Sequence, residues 1–306
     1  MKILCLTPIK HLDGIYEYLE SFGTVDYYPN MDEINVRGII GSYEYDVIFC
    51  NPNKQSYKLN EKILQDFNGT ILTASTGLNH IDIDYCREKG IKVLSHKNDM
   101  KLLKQLPSTA ELAFGLMSSM LRNIPSSFED VKRGVWEYDK FIGHQLSGKT
   151  IGIIGYGRLG KMMSKYCHFF GMGVKVYDPY EGHNDLDMVL KESDIISLHV
   201  HVTDETKYMI NKKTLGKMKK NSYIVNTSRG EIVNERDIIE CLESGYLKGY
   251  ATDVVEHEFD NVRNSPILHG ANRGLNIIIT PHTGGMTWEG QQKAYKWSIS
   301  KLKELK

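Results

Sequence analysis

The stretch Lys149-Thr-Ile-Gly-Ile-Ile-Gly-Tyr-Gly-Arg-Leu-Gly160 decides how the rest of the chain is read. Thr150, Ile151, Ile153 and Ile154 form the β-branched run expected of a strand buried on both faces. Gly155, Gly157 and Gly160 follow with the spacing GxGxxG. Beyond them Leu159, Met162, Met163, Tyr166, Phe169 and Phe170 recur at helical intervals, so the glycines occupy a strand-to-helix turn. A second strand, Val174–Asp178, ends on an acid eighteen residues after the last glycine.

Each residue type has a physical task. Gly155 permits the tight turn, Gly157 lets a pyrophosphate approach the backbone, and Gly160 lets helix and strand pack closely. The helix start at Arg158 and Leu159 offers N–H groups and a positive dipole to phosphate. Asp178 stands where a carboxylate accepts both hydroxyls of an adenosine ribose and repels a 2′-phosphate, which favours NAD over NADP. A turn with no ligand can use the same glycines, but strand, helix, second strand and terminal acid together point to dinucleotide binding.

The 306 residues suggest two domains with ample core. The 38 basic residues balance 38 acidic ones, which argues against nucleic acid or an anionic membrane as partner. Cys5, Cys50, Cys86, Cys167 and Cys241 are odd in number and form no CxxC. That pattern reads as free thiols in a reducing compartment, without disulfides or a metal site. The apolar run at the N-terminus is too short for a signal peptide, and no stretch approaches a membrane span. A soluble, cytoplasmic α/β protein is expected.

Ile3–Leu6, Val25–Tyr28, Val47–Cys50, Ile71–Ala74 and Lys92–Leu94 read as short strands of one doubly wound sheet, with amphipathic segments such as Leu12–Phe22 and Ile81–Lys89 between them. Ser75-Thr-Gly-Leu-Asn79 follows the fourth strand. It is either a carboxylate-binding loop or a βα turn that needs small residues. The polar stretch His96–Leu106, with Lys97, Lys101 and Lys104, reads as a connection; these lysines are a solvated charge run or a phosphate contact. Ser108 and Glu111 suggest a capping box before an apolar helix to Leu121, expected to serve interdomain or subunit packing. A second sheet continues through Asp194–Val200, Ser222–Asn226, Tyr250–Val255 and Ile277–Thr280. A helix over Glu235–Ser244 is capped by Asn234, and one over Trp288–Lys306 returns to the first domain.

Three strand ends of the second sheet carry polar residues: Asn226-Thr-Ser-Arg229-Gly230, Asp253 with Glu256, His257 and Glu258, and Pro281-His282-Thr-Gly-Gly285. Taken singly, Arg229 reads as a surface ion-pair partner, Glu258 as solvated and His282 as a loop residue. In a doubly wound sheet, however, these ends converge on one crevice. Arg, Glu and His meeting there suit reduction of a 2-oxoacid. The planar fork of Arg229 holds a carboxylate and polarises the neighbouring carbonyl. His282 exchanges a proton with the carbonyl oxygen, and a carboxylate beside it favours the imidazolium that reduction needs.

The ordered set resembles the D-isomer-specific 2-hydroxyacid dehydrogenase family, which includes phosphoglycerate, hydroxypyruvate/glyoxylate and D-lactate dehydrogenases and a related co-repressor. The motifs are Thr76-Gly-Leu-Asn-His-Ile-Asp82, Ser108-Thr-Ala-Glu111, the glycine fingerprint, Ser197-Leu-His-Val200, Thr203-x-x-Thr206, Asn226-x-x-Arg-Gly230, Asp253-Val254 and Thr280-Pro-His282. The resemblance implies two doubly wound parallel-sheet domains. A Rossmann NAD-binding domain (101–285) is inserted in a flavodoxin-like substrate domain (1–100 with 286–306), with hinges near 97–107 and 284–288 and domain closure on substrate.

By the same resemblance His282 is the acid/base, Glu258 its partner, and Arg229 the substrate-binding arginine. Glu258 is preferred over Glu256 because the family places its acid five residues after the Asp of the Asp-Val pair. Ser75, Thr76 and Gly77 hold the substrate carboxylate. Asp253 lies on the nicotinamide side, His199 beside the cofactor phosphates, and Thr206, Thr227, Ser228 and Gly284 line the cofactor. A homodimer through the cofactor domain and the 108–121 helix is implied too. The alternative is an NAD(H)-sensing protein of the co-repressor type. His201 and Phe259 stand where the family commonly has proline, and Thr227-Ser228 where a small residue such as alanine is common. The 96–107 connection and Asn261–Gly274 are also extended, so the substrate stays open.

Overall fold

The computed structural model describes residues 1–52, 57–258 and 261–305, so Phe259 lies outside the described residues. The chain forms two compact units, 1–106 with 286–306, and 107–285. In chain order the first holds β1 (Lys2–Cys5), α1 (Ile15–Glu20), β2 (Thr24–Tyr27), α2 (Glu33–Ser42) and β3 (Val47–Cys50). It continues with α3 (Glu61–Leu64), β4 (Thr70–Thr73), α4 (Ile83–Lys89), β5 (Lys92–Leu94) and α5 (Met100–Leu103).

The second unit begins with α6 (Ser108–Leu121), α7 (Ile124–Lys132), β6 (Thr150–Ile154), α8 (Arg158–Phe169) and β7 (Gly173–Tyr177). It proceeds through α9 (Leu186–Glu192), β8 (Ile195–Leu198), α10 (Lys212–Leu215), β9 (Ser222–Asn226) and α11 (Glu235–Glu243). It ends with β10 (Leu247–Thr252), α12 (Pro266–Asn272) and β11 (Ile277–Ile279); α13 (Trp288–Ser300) then belongs to the first unit.

The first sheet runs β2-β1-β3-β4-β5 and is parallel throughout. Leu4, Ile48 and Ile71 pack on one face with Val36 of α2 and Ile63 of α3, while Ile3, Phe49 and Leu72 pack on the other with Ile299 of α13. That two-sided burial is why its strands read as unbroken apolar runs. Each such isoleucine contributes roughly 1.5–3 kcal/mol. Tyr295 of α13 reaches Thr7 Oγ1 (3.0 Å) and accepts from Asn51 Nδ2 (2.9 Å), so the returning helix is tied to its sheet by buried polar contacts as well. The boundary falls after Leu106, past the expected 100, because α5 buries Leu102 and Leu103 in this unit.

The second sheet runs β11-β10-β9-β8-β6-β7, again parallel. Relative to the 3-2-1-4-5-6 order of a double mononucleotide fold, no strand lies outside β7 among the described residues. The order reverses between β6 and β8, which places the switch point beside the glycine-rich turn.

Several local expectations change. Pro107 occupies the N-cap of α6 in a helical conformation (φ −82°, ψ −13°), so the helix already includes Ser108 and the capping box does not form. The buried face of α6, including Ala113, Leu116, Met117 and Met120, packs on its own domain's sheet. The 96–107 connection contains α5, and the 261–274 stretch contains α12. The last helix stops at Ser300 and tightens into a 3-10 turn over Lys301–Leu305.

Candidate active site

Strand register sets the site. Tyr177 pairs with Ile154, Ile154 with Leu198, Leu198 with Asn226, Asn226 with Thr252, and Thr252 with Ile279. The residue after each therefore lies on one rim: Asp178, Gly155, His199, Thr227, Asp253 and Thr280. The carboxyl rim of a doubly wound sheet is where ligands bind.

At the β6 end, Gly155 has φ +93°, and a Cβ there would lie 2.5 Å from the His199 carbonyl oxygen. A Cβ on Gly160 would lie 2.0 Å from the Gly155 carbonyl. Both glycines are demanded by the protein's own backbone. A Cβ on Gly157, by contrast, meets nothing within 4 Å. Gly157 is the N-cap of α8, so that helix start carries no capping side chain and its backbone is open to close approach. The Asp178 carboxylate accepts from the N–H of Tyr156 inside the glycine turn (2.7 Å) and from that of Tyr180 (3.0 Å). It is thus preorganised over the turn, with lone pairs remaining on both oxygens. Burial pushes the neighbouring Arg158 guanidinium down from its ordinary value.

His199 bonds Ser197 through Nε2 (2.9 Å), while its buried Nδ1 has no partner among the described residues. Burial pushes this ring down to about 4, so it stays neutral near pH 7. Thr227, 7% exposed, likewise has a buried hydroxyl with no partner among the described residues. Ser228 spends its hydroxyl on the Leu198 carbonyl (2.8 Å), stapling β9 to β8. The Thr206 hydroxyl donates to the His201 carbonyl (2.5 Å) and closes its own loop.

The β9–β11 ends carry Arg229, Glu258 and His282, the residues expected to act on substrate. His282 Nδ1 and Glu258 Oε1 are 2.8 Å apart, with both side chains largely shielded from solvent. His282 and His257, the residue before Glu258, both adopt left-handed backbone (φ +54° and +60°), which is unusual for residues with a Cβ. Arg229 donates from Nη1 to the Ser228 carbonyl (2.6 Å), and its guanidinium forms no ion pair among the described residues. A Cβ on Gly230 would lie 2.1 Å from the Val255 carbonyl carbon, so the Arg229 loop rests directly on the backbone that leads to Glu258.

Asp253 is 1% exposed, and its carboxylate organises the histidine loop. It accepts from Thr280 Oγ1 (2.5 Å), the Thr283 N–H (2.8 Å) and the Gly284 N–H (2.7 Å). Ser75, Thr76 and Gly77 follow β4 in the first unit, where the Ser75 carbonyl accepts from the His96 N–H (3.1 Å). Sequence reading missed Tyr208, whose hydroxyl bonds the Glu256 carboxylate, and Glu235, which accepts from the Glu256 N–H (2.7 Å). Tyr208 is 48 positions from Glu256 and Glu235 is 21 away, and no local pattern encodes such pairings. Among the described residues no group of three or more His, Cys, Asp or Glu could hold a metal ion, and no helix is long and apolar enough to cross a membrane.

The residues present fit a dinucleotide. Space beside Gly157 at the start of α8, the anchored Asp178 carboxylate and the groups at His199 and Thr227 that lack a partner among the described residues lie along one rim. Fold and rim together define a dinucleotide-dependent oxidoreductase. Residues 114–284 match the model of the "D-isomer specific 2-hydroxyacid dehydrogenase, NAD binding domain", and the chain belongs to that family.

The chain is 38% identical to a hydroxypyruvate reductase of Thermotoga maritima, over 97% of this chain and 92% of that one. It is 37% identical to a D-3-phosphoglycerate dehydrogenase of Methanocaldococcus jannaschii over 76% of this chain, but only 44% of that longer protein. Among solved structures, D-lactate dehydrogenase from Aquifex aeolicus complexed with NAD and lactic acid superposes with a TM-score of 0.81. That match has 27% identity and covers 100% of this chain and 95% of that one.

Proposed function

We propose that the protein interconverts a small D-2-hydroxyacid and its 2-oxoacid, with His282 as acid/base, Glu258 as its partner and Arg229 as the substrate-binding residue. The carrying observation is the 2.8 Å contact between His282 Nδ1 and Glu258 Oε1. With Nδ1 engaged by a carboxylate, proton exchange with the substrate oxygen falls to Nε2. NAD, when bound, supplies or accepts the hydride. Arg229, with no acidic partner among the described residues, receives the substrate carboxylate and polarises the adjacent carbonyl. In reduction His282 hands its proton to the carbonyl oxygen, and Glu258 stabilises the imidazolium beforehand; oxidation runs the transfer backwards. The backbone N–H groups of Ser75, Thr76 and Gly77 are assigned to the substrate carboxylate as well.

Asp178 supports a preference for NAD over NADP. His199, Thr227 and Gly284 are assigned to the cofactor through their places on the rim, and Thr206 and Ser228 shape its walls through the hydrogen bonds they make. Lys97, Lys101 and Lys104 are all exposed, in keeping with a solvated run rather than a phosphate site.

The assembly is read as a homodimer through the cofactor domain. α7 has no buried residue and exposes Ile124, Phe128 and Val131, with Trp136, Tyr138 and Ile142 beyond it. Apolar surface of this extent marks an interaction site. Five free cysteines, four of them buried, support a reducing, cytoplasmic setting.

The test is oxidation of NADH and NADPH against glyoxylate, hydroxypyruvate, 3-phosphohydroxypyruvate, pyruvate and branched 2-oxoacids, with His282→Ala beside the wild type. Turnover with NADH that collapses in the variant is expected. Tight NADH binding with no turnover on any acid would overturn the enzyme mechanism in favour of a sensor.

A further inference from the structure

Glu258 sits on a segment that leaves β10 and turns sharply at His257, and something must hold that segment in place. Glu235, the first residue of α11, is 3% exposed. The cap of that helix is already supplied by Asn234, whose side chain accepts from the N–H groups of Arg236 and Asp237. A carboxylate buried this deeply costs free energy unless both oxygens are bonded. Here Oε1 accepts from the Glu256 N–H at 2.7 Å and Oε2 from Ser265 Oγ at 2.8 Å. One carboxylate therefore ties two feet together, the backbone at Glu256 and the side chain of Ser265.

A second restraint acts on the same foot. Tyr208 is held in left-handed backbone (φ +51°) by its N–H bond to the Glu231 carbonyl (2.8 Å), and its hydroxyl bonds the Glu256 carboxylate. That bond, with burial, pushes the phenol up to about 12. Gly230 lies close against the backbone of Val255 and Glu256, so the carriers of Arg229 and Glu258 meet where the clamp acts.

We propose that Glu235, seconded by Tyr208, is a positioning residue for the acid–base pair, fixing Glu256 so that Glu258 stays on His282 Nδ1. The proposal rests on the roles given above to His282 and Glu258. Glu235 and Tyr208 both act through Glu256, two residues before Glu258.

A double-mutant cycle on kcat for the best 2-oxoacid of the panel, with NADH affinity measured separately, tests it. Glu235→Ala is expected to lower kcat about tenfold with NADH affinity within about twofold of wild type. Glu235→Gln, which keeps an oxygen for the Glu256 N–H, recovers most of that loss. Tyr208→Phe is expected to lower kcat about threefold, and it carries the test if Glu235→Ala does not fold. In a Glu258→Gln background both losses shrink to about twofold or less, because the residue they position is already disabled.

Equal fold-losses in both backgrounds, or Gln no better than Ala, overturn the positioning role. Wild-type kcat in both Glu235→Ala and Tyr208→Phe, with a large Glu258→Gln loss, overturns it too and leaves the acid–base pair standing. A Glu258→Gln enzyme with wild-type kcat sinks the acid–base pair itself.

Discussion

The main-chain N–H of His282 donates to the Asp253 carbonyl at 2.9 Å, while the Asp253 carboxylate gathers the Thr280 hydroxyl and the N–H groups of Thr283 and Gly284. One buried residue thus holds the histidine loop by backbone and side chain together, and does so in a conformation the histidine would not choose.

Asp253→Ala strips that loop of its acceptor and leaves buried donors unpaired. A loss of roughly 2–3 kcal/mol in unfolding free energy is expected, together with a drop in kcat. Urea unfolding of the variant checks the first part; an unchanged midpoint would show that water replaces the carboxylate.

Gly157 and Gly160 separate two demands that the fingerprint merges. Gly157→Ala meets no protein atom, so its melting temperature should stay near wild type while NADH affinity falls at least about tenfold. Gly160→Ala collides with the Gly155 carbonyl and should destabilise the domain itself. Calorimetry and NADH fluorescence titration on the two variants make the comparison. Equal NADH affinity in Gly157→Ala would place the pyrophosphate elsewhere.

Asp178 is held by the Tyr156 N–H, so Asp178→Ser loses both the ribose acceptor and the anchor of the turn. The NADH preference over NADPH should shrink by roughly tenfold or more in kcat/KM. An unaltered ratio would assign discrimination to another residue.

His80 and His96 are both buried in the first unit, and burial pushes each down to about 4. Their folded values lie below the unfolded one near 6.5, so the unfolded chain binds more protons between the two. The stability they contribute is complete above about pH 6.5 and is lost as pH falls through about 4. Melting temperature should drop steadily over that window, and replacing both with glutamine should flatten the slope. An unchanged slope would assign the acid loss to carboxylates.

Phe128 and Trp136 lie on the exposed apolar surface of the cofactor domain. Converting both to glutamate should leave the fold intact and move the sedimentation coefficient to that of a monomer. A wild-type protein that already sediments as a monomer would exclude the dimer.

The strands were legible because two-sided burial writes itself as β-branched runs, as in Ile151–Ile154 and Ile195–Ile196. Short helices were less so. α12 is seven residues with glycine and asparagine inside, and its only strong mark is Ser265-Pro266, a cap followed by proline at the first helical position. Ser108 carried a capping-box pattern, but Pro107 adopted the helical conformation and took the cap itself. Within the site, the groups at strand ends could be named from order and motif. The engagement of Asp253 with the histidine loop and the clamp of Glu235 on Glu256 could not. Both depend on which loops the sheet brings side by side, a fact that exists only after folding.

The strand order β11-β10-β9-β8-β6-β7 has an evolutionary consequence. Asp178 follows one edge strand and His282 follows the other, and with strands about 4.8 Å apart the two rim positions are on the order of 24 Å from each other. The group assigned to distinguish one nicotinamide dinucleotide from another shares no hydrogen bond, among the described residues, with the group assigned to protonate the substrate. Mutation at one edge can therefore retune the coenzyme pool a lineage draws on while the chemistry at the other edge is inherited unchanged.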